Sequence, residues 1–188
     1  MEKQKLTIED LAPYLPYSIK CLSGDSKEIY ELSGLTIRYG WVNYERRIEI
    51  YGENSPRYYT QELKNCKPLL YPLSHLTKEI EVEGKMFIPI VELAKIEDVS
   101  FNKVISIYRN DDECVLSKFV SISYVDDDNN NLILKFDFTN KSFHLRIGIN
   151  KIEMLHPFEL YKMMYKWNLD INDLISQGLA IDKTKIKD

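Results

Sequence analysis

The sequence predicts an α+β fold with a small barrel-like β module at the N-terminus, an antiparallel meander in the middle, and C-terminal helices packing on the sheet. Three observations carry the prediction. Short runs rich in Ile, Tyr and Leu between residues 18 and 51 are broken by Gly24-Asp25, Ser33-Gly34 and Gly52. Leu132, Leu134, Phe136 and Phe138 alternate with Ile133, Lys135 and Asp137, the period of a strand with one buried face. Phe158, Tyr161, Met164 and Tyr165 recur at helical spacing after Pro157.

In order along the chain, Thr7 is placed to cap a short helix, with Asp10 in its first turn and Leu11 and Leu15 on one side. Pro13 and Pro16 hold it to about two turns. The strands that follow, at 19–22, 29–32, 35–39 and 48–51, are too short to bury a face singly, so a curled sheet is expected. Pro68 and Pro72 mark a connector, and Ser74 a helix through Leu76 and Ile80. Gly84-Lys85 marks a turn, and Pro89 the first residue of a helix that buries Ile90, Leu93 and Ala94.

Strands are expected at 104–108, 115–125, 132–138 and 143–149, the last three joined by polar turns of hairpin length. Asp170 is expected to cap a second C-terminal helix ending at Gly178. The expected organisation is a β-rich module over 1–80 and an α+β unit over 81–188, or a single compact domain. The second unit has strands at about 103–149 and helices at about 157–178.

Composition excludes several classes. An apolar fraction of 44% with 29% charge is that of a folding chain, not a disordered one. No apolar run approaches the ~18–20 residues of a membrane helix, and the N-terminus lacks the apolar core of a signal peptide. The three scattered cysteines, Cys21, Cys66 and Cys114, form no CxxC pair and read as reduced thiols, so a cytoplasmic setting is expected.

Chemical motifs are sparse. Asp126, Asp128 and Asn130 have the alternate spacing of a calcium loop, but Asn131 and Asp137 stand where that loop needs Gly and Glu. A solvated hairpin turn without metal is expected. His75, His144 and His156 lack zinc spacing, and no glycine-rich phosphate loop or nucleophile elbow is present, so no catalytic residue, metal or cofactor is assigned. A site assembled in space from scattered residues would make the chain an enzyme, the least favoured reading.

The best binding candidate is an alternation of Arg38, Arg46, Arg47 and Arg57 with Tyr39, Trp41, Tyr44 and Tyr58. Arginines among aromatics anchor protein interfaces or stack on bases and pair with phosphates. Glu45, Glu49 and Glu53 and a formal charge of −4 oppose phosphate attraction, so a protein partner is favoured and a nucleic-acid-binding module is the alternative.

Three blocks, LAPYLPYSIK at 11–20, KPLLYPLSHLTKEI at 67–80 and LDINDLISQGLAID at 169–182, resemble uncharacterised small proteins from phage and prophage-like regions of gut anaerobic bacteria. In that group the stretch before the last block is usually shorter, and here 99–150 carry extra strands. The resemblance implies a mobile-element setting in a bacterial cytoplasm or infected host; the leading expectation for the chain is a non-catalytic, protein-binding accessory role. It supplies no activity to transfer.

Overall fold

The computed structural model describes residues 5–24, 29–39, 46–52, 61–97, 100–110, 118–148, 151–154 and 157–186. The fold is α+β, divided into two compact units: Met1–Pro72 with Tyr165–Asp188, and Leu73–Met164.

The first unit opens with α1 (Ile8–Leu11), where Thr7 and Asp10 form a reciprocal capping box, and the chain tightens into a 3₁₀ turn over Ala12–Tyr17. A six-stranded sheet follows, ordered β13-β5-β1-β2-β3-β4, from β1 (Lys20–Ser23), β2 (Ile29–Tyr39), β3 (Arg46–Gly52), β4 (Gln61–Glu62), β5 (Cys66–Leu70) and β13 (Ile181–Asp182). The barrel-like expectation is corrected: the sheet is open among the described residues. Its ends are the two-residue β4 and the parallel strand β13, so no pairing joins them.

Ser33-Gly34 does not separate two strands. It lies at a register shift within β2, a bulge that bends one continuous strand. Pro68 is a strand residue, not a connector. It stands opposite Cys21, and β13 pairs only with Leu69 and Leu70, so Pro68 has a ladder on one side alone. Leu11, Tyr14, Ile19, Cys21, Leu32, Leu70 and Leu174 form the buried cluster of this unit.

The second unit starts with a 3₁₀ turn (Leu73–Thr77), shorter than the helix expected from Ser74 because Ile80 is already in a hairpin of β6 (Ile80–Val82) and β7 (Lys85–Phe87). Glu83 and Gly84, at φ 51° and 75°, make its two-residue turn left-handed, as tight hairpins require. The helix α2 (Pro89–Glu97) buries Ile90, Leu93 and Ala94 as the sequence predicts.

The meander β8 (Phe101–Asn110), β9 (Phe119–Asp126), β10 (Asn131–Asp137), β11 (Ser142–Ile147) and β12 (Lys151–Met154) is paired in chain order and antiparallel throughout. Leu132, Leu134 and Phe136 share a buried face with Val120, Ile122, Tyr124, Phe143 and Leu145.

The expectation of helices across 157–178 is also corrected. The helix α3 spans Phe158–Lys166 only. Asp170 does cap, accepting from the backbone N–H of Leu174 at 2.7 Å and Ile175 at 2.9 Å, but Asp173 lies at φ 56°. That left-handed residue breaks the helical path, and turns follow to Gly178. Phe158, expected inside, is 74% exposed. The buried line of α3 is Leu160 and Met164, and Phe158 precedes Leu160 by two residues, about 200° around the helix.

The C-terminal turns belong to the first unit. The Tyr14 hydroxyl donates to the Leu169 carbonyl at 2.7 Å, and Tyr71 and Asp170 exchange backbone bonds with this segment at 2.8 Å. Replacing Asp170 by Ala leaves two N–H groups of a buried turn without an acceptor. The expected cost is about 1–3 kcal/mol in urea unfolding, with Tyr14→Phe costing about 1 kcal/mol. An Asp170→Ala midpoint equal to wild type would refute this role.

Candidate functional site

Four residues of the predicted cluster fall in one described strand pair. Arg38 in β2 lies directly opposite Arg47 in β3, and Tyr39 lies opposite Arg46. Trp41, Tyr44, Arg57 and Tyr58 lie outside the described residues.

A second group, not anticipated from sequence, lies on the meander. The helical elements sit on its buried face: Arg109 donates to the Ser74 carbonyl at 2.7 Å, and Phe143 packs edge-on against Tyr161 with ring centroids 5.6 Å apart. On the other face, Tyr108 is opposite Ser121, Lys135 is opposite both Ser121 and His144, and Ile133 is opposite Arg146. Tyr108 is 57% exposed, its ring is 5.9 Å from that of Phe119, and the Lys135 ammonium sits 4.0 Å from the Phe119 centroid. The strand alternation could have revealed this face, but β8 carries two register shifts, at Phe101/Lys103 and Val104/Ser106, which break its period.

The same face holds a serine–histidine pair, Ser142 Oγ 3.0 Å from His144 Nε2. A nucleophile needs such a base, and the base needs an acceptor to stabilise its cationic form. Lys135, a cation, stands opposite His144 instead. The carboxylate on this face, Asp137, accepts from the N–H groups of Thr139 and Asn140 at 2.8 and 3.2 Å and holds its own turn. The pair is therefore a contact between alternate residues of one strand, β11, and carries no catalytic assignment. His75 lies 3.4 Å from Ser74 Oγ, and His156 is outside the described residues.

The Asp-Asn string is a hairpin connection between β9 and β10, with Asp127 to Asn130 exposed. Both oxygens of Asp126 are turned onto Asn130, at 2.7 Å to its backbone N–H and 2.8 Å to its side-chain amide. The Asn130 amide holds the Asp126 carboxyl below its ordinary value. That turn contribution is fully present above the unfolded pKa, about 3.9, and is lost as pH falls through the lower folded value.

Two thiols occupy the first sheet. Cys21 in β1 is opposite Tyr30, and Cys66 in β5 is opposite Ser23, one diagonal step from Cys21. Hydrogen bonds from the Cys21 thiol and the Tyr30 hydroxyl draw the Cys66 pKa down against the effect of burial. Donation to Cys66, then burial, push Cys21 up. Cys66 is thus the more acidic thiol, yet it is only 2% exposed and Cys21 is fully buried.

No described helix is long and apolar enough to cross a membrane, and no three metal-ligating side chains converge among the described residues. No family model, curated protein or solved structure matches the chain.

Two outcomes follow from this geometry. In a Cys114→Ser background, Cys21 and Cys66 should leave a thiol reagent unreacted in the folded protein and both react in guanidinium; fast reaction of either in the native state would show an open site. An NMR titration of Asp126 should give a pKa below the ordinary 3.9 of an aspartate, rising toward it in Asn130→Ala.

Proposed function

We propose that this chain is a non-catalytic accessory protein of a phage or other mobile element, acting in the bacterial cytoplasm by binding a protein partner. The observation that carries this reading is the 74% exposure of Phe158 at the start of α3. A large aromatic in water contributes little to the fold, whereas aromatics seated in a partner's pocket dominate binding energy. Met86 and Ile96, at 59% and 40%, are further exposed apolar side chains of the same unit.

The arginine register of β2 and β3 supports a further contact region. Arg38 and Arg47, opposite one another in register, are residues of a type suited to partner carboxylates. The sequence-level preference for protein over nucleic acid at this hairpin rests on the glutamates within it.

The test is capture of partners from the native host by tagged wild type and by Phe158→Ala. The variant should melt like wild type, its stability changed by less than ~0.5 kcal/mol, as for exposed positions. It should also lose a stoichiometric partner. Capture of the same proteins in the same amounts, or a melting point several degrees lower, would sink the anchor role.

A further inference from the structure

We propose that the outer face of β8–β11 binds single-stranded nucleic acid, with the exposed Tyr108 as the stacking ring, Phe119 beside it, and Lys103, Lys135 and Arg146 contacting phosphates. This activity goes beyond the protein-binding reading and rests on a different surface from Phe158.

Register builds the platform. Tyr108, Ser121, Lys135 and His144 form one row across four strands, and Ser106, Ser123, Ile133 and Arg146 form the next. Lys103, opposite Val125, lies on the same side. Lys103, Ser106, Tyr108 and Arg146 are exposed, Phe119, Ser123, Ile133, Lys135 and His144 are half-buried, and Ser121 at the centre is buried. Rings and cations therefore occupy adjacent positions on neighbouring strands, with small serines between them. Stacked bases joined by phosphates need that juxtaposition, since every base has a flat face and every linkage a negative charge.

Charge complementarity favours nucleic acid over an acidic protein on this face. Asp137, on the same side of the sheet, is buried with its Oδ1 held by its own turn, and one carboxylate stands there against Lys103, Lys135 and Arg146. The face sets two aromatic rings 5.9 Å apart among serines and cations, its aliphatic residues Val125 and Ile133 are half-buried, and Ile105 of β8 is exposed. A duplex hides its base faces, so the rings select single strands.

Three cations predict a modest salt response. For single strands the slope of log affinity against log salt is about −0.7 per neutralised phosphate, or about −2 here, roughly a twentyfold loss from 50 to 200 mM salt. The test is fluorescence anisotropy with labelled oligo(U) and oligo(dT) of about fifteen nucleotides, near the upper site size of one sheet platform, and with a duplex of equal length.

Micromolar binding of a single strand at the lower salt, weaker for the duplex, is the expected result. Tyr108→Ala should weaken it about tenfold or more with unchanged melting, Tyr108→Trp should restore it, and Lys103→Gln with Arg146→Gln should flatten the salt slope. Equal duplex affinity would overturn the proposal. So would loss of binding in an Arg38→Gln, Arg47→Gln pair when Tyr108→Ala retains it, which would move the site to the hairpin. No binding of any oligonucleotide at the lower salt overturns it as well, and leaves the face to an acidic protein.

Discussion

The first unit depends on the return of the chain's last segment to its beginning. Tyr14 and Leu169 are 155 residues apart, and the hydrogen bond between them is buried. Burial, then the nearby Asp170 charge, push the Tyr14 hydroxyl far above its ordinary pKa, so it remains a donor at any physiological pH. Around that bond, Tyr71 takes the Asn168 carbonyl and gives its own carbonyl to Asp170, and β13 covers the outer side of β5. Leu174 and Ala180 then enter the cluster of Leu11, Tyr14 and Cys21. Without this segment β5 would be a bare edge, carrying both unpaired backbone groups and exposed leucines.

The second unit obeys a different rule. Its five main strands pair in chain order, so each is specified by a sequence neighbour rather than by a distant segment, and short turns join β9 to β10 and β10 to β11. Asp126 and Asp137 each fix one of those turns by accepting hydrogen bonds from residues just ahead, which pins the register. Once register is pinned, alternation decides everything else: Phe136 and Phe143 go inward, Lys135 and His144 outward. The helical elements need cover only one face, and the other keeps its polar and aromatic side chains in reach of ligands.

Features governed by local chemistry were legible in the sequence. The capping box at Thr7, the proline start of α2 and the alternation of β10 each follow from a few adjacent residues, and each is found. Features set by distant partners were not. Ile181-Asp182 is too short to read as a strand and becomes one only beside Leu69 and Leu70. Asp170 reads as a helix cap and is a cap, but the left-handed Asp173 diverts the chain, a conformation rarely signalled by aspartate alone. Phe158 fits an apolar stripe by spacing, yet Leu160 and Met164 define the buried line a different way around. Of the predicted arginine and aromatic cluster, the register of Arg38 with Arg47 could be drawn from hairpin pairing, whereas the basic row on the meander needed the bulges of β8 to be located first.

Net charge is a coarse guide to any one face, for a physical reason. The formal total of −4 averages over positions with different structural duties. Aspartates at 126–128 lie where turn geometry favours short acceptors, at the end of the hairpin. Outward strand positions instead carry long side chains that lie across their neighbours, as Lys135 lies over Phe119. Secondary structure thus sorts the signs, acids to the turn and cations to the sheet face. Charges separated by more than ~8 Å are screened at physiological ionic strength. A ligand on that face therefore responds to the cations beneath it, and the net charge of the chain governs only its behaviour at longer range.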